Sequence, residues 1–192
     1  MTAENIISAI NTGAFGMVKE VYSPALNLVM HYWASSFFIV LPAIAIYLFY
    51  KKDKNVFVFA IAVVLLYVIA DLIKMLVKEP RPCDVTSLSW INTYGCEGGY
   101  SFPSDHAMTL TGLALFINNY KYLRVLYLAW LIMVLFGRVY LGQHYFTDVV
   151  AGAVLSMVGA GILYKCRNWI NTIGGRILYR ILGSRTPKEL RG

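Results

Sequence analysis

Long apolar runs, interrupted by only a few charged residues, constrain this chain more than any other feature of its sequence. Several runs approach 20 residues, the length that crosses a bilayer as a helix. Of the 192 residues, 58% are hydrophobic and 14% are charged, whereas about a quarter of a soluble domain is charged. We therefore predict an all-α integral membrane protein, a helical bundle.

The apolar runs predict five to six transmembrane helices, of which the sequence places five. These five run over about 28–50, 56–77, 103–118, 125–141 and 145–164. Before them, residues 3–20 carry apolar side chains at helical spacing, which predicts an amphipathic helix lying on the membrane surface. The predicted domains are an amphipathic interfacial helix at 1–22, a transmembrane domain at 23–165 and a basic cytoplasmic tail at 166–192.

Lys and Arg residues are divided unevenly between the two sides of this five-span arrangement. One side has 12 of them, mainly in the turn at 51–54 and in the tail, and the other has five. Because cytoplasmic loops carry the excess of Lys and Arg, we predict that the turn and the tail are cytoplasmic. The net charge of +7 is then explained by membrane-flanking residues, and no nucleic-acid partner is expected.

Three short motifs place ionisable residues among the apolar runs, all at the predicted outer end. They are Lys74 to Pro82, Pro103 to His106, and Arg138 to Asp148. Ionisable groups are expensive in such surroundings, and a functional site is their default interpretation. We therefore expect the three motifs to converge on the outer face of the cell membrane.

Three cations in these motifs, Lys74, Arg81 and Arg138, predict a site for a phosphate group. Phosphate is bound by several charge-assisted donors, and an Arg can supply two parallel hydrogen bonds. The alternative is that such cations only extend from the membrane to its polar interface. We favour that alternative for the neighbouring Lys78.

Two histidines and a carboxylate add the groups needed to react with a phosphate. His144 and Asp148 are four residues apart and share one helix face. A carboxylate there can hold one ring nitrogen while the other attacks phosphorus. His106 can protonate the leaving oxygen as general acid. Taken singly, these residues also fit a helix cap and an interfacial histidine.

The motifs together resemble the three signature motifs of the type-2 phosphatidic acid phosphatase superfamily of membrane lipid phosphatases. The matching patterns, which cover about residues 70–165, are Lys74-x6-Arg81-Pro82, Pro103-Ser104-x-His106 and Arg138-x5-His144-x3-Asp148. The resemblance implies a phosphohistidine intermediate on His144, oriented by Asp148, with His106 as the acid. It also implies that Lys74, Arg81, Arg138 and Ser104 bind the phosphate, without a metal or another cofactor.

Two positions depart from the common family pattern. Asp105 stands where glycine is usual, and Gly137 stands where serine often precedes the arginine. Asp105 is therefore expected to modulate the site, either by repelling phosphate or by acting on His106. The loss of the serine removes one phosphate donor.

The form Phe-Pro-Ser-Asp-His at 102–106 is similar to the bacitracin-resistance type of undecaprenyl-diphosphate phosphatase. This similarity makes a polyprenyl diphosphate the first expected substrate, with the bilayer as its source. Phosphatidylglycerophosphate, phosphatidic acid and a lipid A phosphate are the alternatives. A transporter or binding protein for a phosphorylated solute is the alternative of another class, because it would use the same cations.

Two of the three cysteines, Cys83 and Cys96, fall in the long polar loop at 78–102. In an oxidising outer compartment they can join in a disulfide that holds the loop over the site. The sequence leaves open whether they do.

Overall fold

The computed structural model describes residues 2–84 and 95–191, and within these ranges the regular secondary structure is helical. Eight α-helices occur there: α1 Ala3–Val21, α2 Pro24–Ser35, α3 Phe37–Tyr50, α4 Asn55–Val77, α5 Asp105–Leu113, α6 Lys121–Tyr140, α7 Phe146–Lys165 and α8 Arg167–Leu182. Short 3-10 turns follow α4 at Pro82–Asp84 and follow α8 at Gly183–Arg185 and Lys188–Leu190.

Four segments of the described chain are long and apolar enough to cross a membrane. They are Pro24–Tyr50, Asn55–Asp84, Lys121–Tyr140 and Phe146–Lys165. The prediction of five placed spans is therefore not confirmed. The predicted span at 103–118 contains only α5, whose 9 residues extend about 14 Å, too short for a hydrocarbon core of about 30 Å.

Side chains that accept hydrogen bonds mark the start of three helices. The hydroxyls of Thr2, Ser23 and Ser104 accept from backbone N–H groups of the first turns of α1, α2 and α5, which satisfies donors that have no partner within the helix. Ser104 is thus the N-cap of α5.

The second predicted span ends close to where the sequence places its end. α4 stops at Val77, and Lys78 adopts a left-handed conformation with φ of 57°. Pro80 and Pro82 follow directly and oppose further helix. Arg81 consequently lies on a non-helical segment.

The short helix α5 is enclosed by longer helices and packs mainly against α4 and α7. Two glycines allow α5 and α7 to approach closely. A Cβ on Gly112 would lie 2.4 Å from the Cβ of Ala160, and one on Gly152 would lie 2.8 Å from the Ser104 carbonyl oxygen. The Gly112 N–H also donates to the Ser156 hydroxyl at 2.8 Å. This packing sets the start of α5 beside the start of α7.

The two flanking helices are attached to the bundle by buried amides. On α1, the side chain of Asn11 bonds both the hydroxyl and the backbone N–H of Thr147, at 3.0 Å and 3.2 Å. On α8, the Asn171 Oδ1 accepts from the backbone N–H of Val58 on α4 at 3.2 Å. Several isoleucines of α1 remain exposed, so its place on the membrane surface stays a prediction.

The predicted outer loop is closed by a disulfide. Cys83 and Cys96 are bonded, with their Cα atoms 5.8 Å apart, so the pairing that the sequence left open is present. The middle of this loop, residues 85–94, lies outside the described residues.

Candidate active site

The three sequence motifs meet around the ring of His144. Its Nε2 lies 3.3 Å from Arg81 Nη1 and 3.5 Å from Arg138 Nη2. The residues Arg81 and Arg138 are each 2% exposed, and His144 is fully buried. Two cations from distant parts of the chain therefore face one nitrogen of the same imidazole.

The third cation, Lys74, joins the cluster through Asp105. The Lys74 Nζ lies 3.2 Å from Asp105 Oδ1, and that oxygen lies 3.3 Å from the His144 Nε2. Lys74 is on the last turn of α4 and is buried. The carboxylate that the sequence marked as a modulator thus contacts the cluster directly.

The turn between α6 and α7 places His144 beside Arg81. Arg138 lies near the end of α6, and Gly142 then adopts a positive φ of 66°, a conformation that glycine adopts without strain. Arg81 Nη1 donates to the carbonyl oxygen of Gln143 at 2.8 Å. This bond ties the segment after α4 to the turn that carries the histidine.

The other ring nitrogen of His144 contacts a residue that the sequence reasoning missed. His144 Nδ1 lies 2.8 Å from the Ser101 carbonyl oxygen, whereas Asp148 Oδ2 is 3.8 Å away. The Ser101 hydroxyl donates to Asp148 Oδ2 at 2.5 Å. Ser101 therefore stands between the histidine and the carboxylate, which were expected to bond directly. The backbone N–H of Tyr145 also donates to Asp148 Oδ2, at 2.9 Å.

His106 lies in the first turn of α5 and contacts the same Asp105 oxygen as His144 does. Its Nδ1 is 3.5 Å from Asp105 Oδ1, and its ring meets Phe37 edge to face at 4.5 Å between centroids. The two histidines are thus brought together, with Asp105 shared between them.

Ser104 is in the cluster but its described bonds are structural. Its hydroxyl caps α5, and its backbone N–H donates to the carbonyl oxygen of Asp148 at 3.2 Å. The residue holds α5 against α7. Its predicted role as a phosphate donor stays a prediction.

Glu97 is a second carboxylate within the cation cluster. Both of its oxygens bond the guanidinium of Arg138, and Oε2 lies 3.8 Å from Arg81 Nη2. Burial by itself raises the pKa of the Glu97 carboxyl, but hydrogen bonds and charge from Arg138 outweigh it and lower the pKa to about 2. Glu97 is therefore ionised at neutral pH.

A cavity of about 620 Å³ extends from the cluster between α3 and α4. Its polar end is formed by Glu97, Asp105 and His106, and its walls are apolar side chains such as Phe37 and Val63. In the chain outside 85–94, no group of three or more His, Cys, Asp or Glu side chains is arranged to hold a metal ion.

Comparison with known protein families identifies one that matches this chain. The model of the PAP2 superfamily matches residues 55–172, which is more than half of the chain and includes all the motif residues. The chain belongs to the PAP2 superfamily. Together with its apolar helices, this membership makes it a multi-pass membrane protein of that family.

Several curated PAP2 relatives align over most of the chain. A "Lipid A 4'-phosphatase" of Porphyromonas gingivalis is 29% identical over 175 residues, which are 83% of this chain and 73% of the relative. A protein of the same name from Bacteroides thetaiotaomicron is 27% identical, over 82% and 77% of the two chains. An "Undecaprenyl-diphosphatase" of Sulfolobus acidocaldarius is 27% identical over 62% of this chain and 58% of its own. The narrower likeness to undecaprenyl-diphosphate phosphatases is therefore not confirmed.

Solved PAP2 structures share the fold. LpxE of Aquifex aeolicus superposes with a TM-score of 0.65 at 20% identity, over 79% of this chain and 92% of the other. A phosphatidylglycerolphosphate phosphatase of Bacillus subtilis gives a TM-score of 0.63 at 23% identity, over 87% of each chain.

Proposed function

We propose that this PAP2 protein is a membrane lipid phosphatase that forms a phosphohistidine on His144. The observation that best supports the proposal is the set of contacts made by the His144 ring. Its Nε2 faces two buried guanidinium groups within 3.5 Å, and its Nδ1 is engaged by the Ser101 carbonyl. A phosphate bound to those guanidinium groups would lie against a nitrogen able to attack it.

In the first step, His144 replaces the lipid oxygen on phosphorus. A proton on Nδ1 bonds the Ser101 carbonyl, which leaves the lone pair on Nε2. The bond from Nε2 to phosphorus forms as the bond from phosphorus to the lipid oxygen breaks, and His106 gives that oxygen a proton. Lys74, Arg81 and Arg138 stabilise the charge on the remaining phosphoryl oxygens.

In the second step, water releases the phosphate. The neutral His106 takes a proton from water while its oxygen attacks phosphorus and the bond to Nε2 breaks. Inorganic phosphate leaves, and both histidines return to their starting states. The pair of histidines therefore completes the hydrolysis with water as the only reactant besides the lipid phosphate.

The first substrate class that we propose is a phosphate monoester of a glycolipid such as lipid A. Two relatives named as lipid A 4'-phosphatases align over 83% and 82% of the chain, and the cavity between α3 and α4 has apolar walls suited to acyl chains. A polyprenyl diphosphate is the second candidate, supported by the 102–106 motif and by the undecaprenyl-diphosphatase relative. Phosphatidylglycerophosphate and phosphatidic acid remain alternatives.

We also propose that the site opens on the outer face of the cell membrane. The excess of Lys and Arg in the turn at 51–54 and in the tail supports this orientation. The interfacial helix at 1–22 and the tail at 166–192 would then flank the transmembrane phosphatase domain at 23–165.

A panel assay of the purified protein tests the proposal. Phosphate release would be measured in detergent with EDTA present, against a lipid A phosphate, a polyprenyl diphosphate, phosphatidylglycerophosphate and phosphatidic acid. We expect turnover to be insensitive to EDTA and fastest on the lipid A phosphate. Turnover that requires a metal, or hydrolysis of none of these lipids, would contradict the proposal.

The variant His144→Ala tests the mechanism. Because it removes the nucleophile, we expect phosphate release to fall by about a thousandfold or more, with an unchanged melting temperature showing that the variant folds. A transporter or binding protein would bind the phosphorylated compound with or without the imidazole, so retained turnover in His144→Ala refutes the mechanism.

A further inference from the structure

The cation cluster already contains two carboxylates where a phosphate would be expected to bind. Glu97 bonds Arg138 through both oxygens and lies 3.8 Å from Arg81. Asp105 Oδ1 lies within 3.5 Å of Lys74, His106 and His144. A phosphate that binds both guanidinium groups must therefore replace Glu97 on Arg138.

The backbone around Glu97 is held firmly, so only its side chain can move aside. The backbone N–H of Glu97 donates to the Gln143 Oε1, and the Gln143 Nε2 donates to the carbonyl of Gly95, both at 2.9 Å. Arg81 donates to the carbonyls of Gly98 and Gly99 at 3.2 Å and 3.3 Å. The adjacent Cys96 is fixed by the disulfide.

The Glu97 side chain has room for this movement. Its side chain is 45% exposed, whereas those of its partners Arg81 and Arg138 are 2% and 3% exposed. A displaced Glu97 carboxylate would stay within a side-chain length of the bound phosphate, because its backbone does not shift. The site would then keep a negative charge beside its substrate.

That charge faces the leaving group. Glu97, Asp105 and His106 form the polar end of the 620 Å³ cavity, and His106 is the proposed proton donor to the leaving oxygen. The group that departs from phosphorus must therefore lie beside the two carboxylates. A monoester places a neutral alcohol there, whose hydroxyl can donate to a carboxylate. A diphosphate places a second, anionic phosphate there, which both carboxylates repel.

We propose that Glu97 is a substrate-selecting residue, which competes with phosphate for Arg138 and, once displaced, favours phosphate monoesters over diphosphates. This inference rests on the proposed phosphatase function. It identifies a determinant of the leaving group rather than of the lipid chain, since Glu97 stands at the polar end of the cavity and not along its apolar walls.

Paired substrates test the selection. The ratio of kcat/KM for a prenyl monophosphate to that for the diphosphate of the same prenyl chain would be measured in the wild type and in Glu97→Gln. We expect Glu97→Gln to lower this ratio about tenfold, because one unit charge near the leaving group is removed. Glu4→Gln makes the same change at an exposed residue in the first turn of α1 and should leave the ratio unchanged. Glu97→Asp, which retains the charge, should keep most of the preference. An unchanged ratio in Glu97→Gln would overturn the selection.

Binding of inorganic phosphate tests the competition without any turnover. Thermal shifts would give the phosphate concentration for half saturation, which we expect to be about tenfold lower in Glu97→Gln than in the wild type or Glu4→Gln. Equal affinities would overturn the inference even if the enzyme hydrolyses lipids. A third outcome is that the protein hydrolyses none of the lipids while Glu97→Gln binds phosphate more tightly than the wild type. That result would show the competition with Glu97 and reject the proposed function.

Discussion

The two ring nitrogens of His144 make different contacts, because the Ser101 carbonyl engages one of them. Nδ1 lies 2.8 Å from the Ser101 carbonyl, while Nε2 faces the guanidinium groups. The hydroxyl of the same serine donates to Asp148. Asp148 therefore acts on the ring through Ser101, by fixing the residue whose carbonyl selects the tautomer.

We predict that Ser101→Ala lowers kcat about 10- to 100-fold. The variant removes the hydroxyl that donates to the buried Asp148 carboxylate, and the loss of such a hydrogen bond corresponds to a factor of this size. KM should change little, because Ser101 contacts no cation of the phosphate site. Phosphate release as a function of lipid concentration separates the two constants. Ser8→Ala, the same change at an exposed position of α1, serves as the control. A large rise in KM at constant kcat would show that Ser101 acts on binding rather than on the position of the ring.

The sequence was informative about which side chains meet and less informative about how they bond. Spacing and charge in an apolar chain indicated Lys74, Arg81, Arg138, His106 and His144, and the structure brings all five together. Ser101, Gln143 and the pairing of Glu97 with Arg138 had no such signal. Their contacts depend on how a polar loop folds back over the site, and no periodic pattern in the sequence encodes that path.

At the scale of elements, the contact between α5 and α7 decides whether the two histidines can cooperate. α5 carries His106, and α7 begins just after His144. Small residues at Gly112, Gly152 and Ala160 let the two helices approach closely, as is common between helices in membranes. The position of His106 relative to His144 is therefore set by residues that carry no charge.

We predict that Gly112→Ala destabilises the protein by about 1–3 kcal/mol through overpacking. The added Cβ would lie 2.4 Å from the Cβ of Ala160 and 2.8 Å from the Ser156 carbonyl oxygen, so α5 must shift and carry His106 with it. Melting temperature and phosphate release, both measured in detergent, should fall.

Gly161→Ala on α7 is the matched control for this prediction. A Cβ on Gly161 meets nothing within 4 Å, and Ala is a better helix former than Gly. The control should therefore melt at the same or a higher temperature. If both variants behaved alike, the close contact between α5 and α7 would not be a determinant of stability.

The elements themselves were predictable where apolar runs are long and uninterrupted. α4, α6 and α7 lie within a few residues of the predicted spans. The run at 103–118 was misleading, because the helix within it ends at Leu113 and turns follow. A buried short helix and a transmembrane helix are both apolar, and only the neighbouring helices determine which one forms.

At the scale of the whole molecule, the basic turn at 51–54 and the basic tail lie at the end of the helices opposite to the candidate site. α4 begins beside the basic turn at 51–54 and ends beside Lys74, which is part of the site. The tail approaches the basic turn, since Lys52 pairs with Glu189 at 3.4 Å. An insertion with this basic end in the cytoplasm directs the site and the disulfide outward.

The three cysteines provide a test of this orientation in sealed membranes. Cys83 and Cys96 are joined near the site, whereas Cys166 is free and exposed and follows the end of α7 that lies away from the site. In right-side-out vesicles, a membrane-impermeant maleimide should label no cysteine until a reductant is added, and should then label Cys83 and Cys96 alone. In inside-out vesicles it should label Cys166 without reduction, and this signal should vanish in Cys166→Ser. Labelling of Cys166 in right-side-out vesicles would reverse the orientation. Labelling of Cys83 or Cys96 before reduction would contradict the disulfide that holds residues 95–99 over the phosphate site.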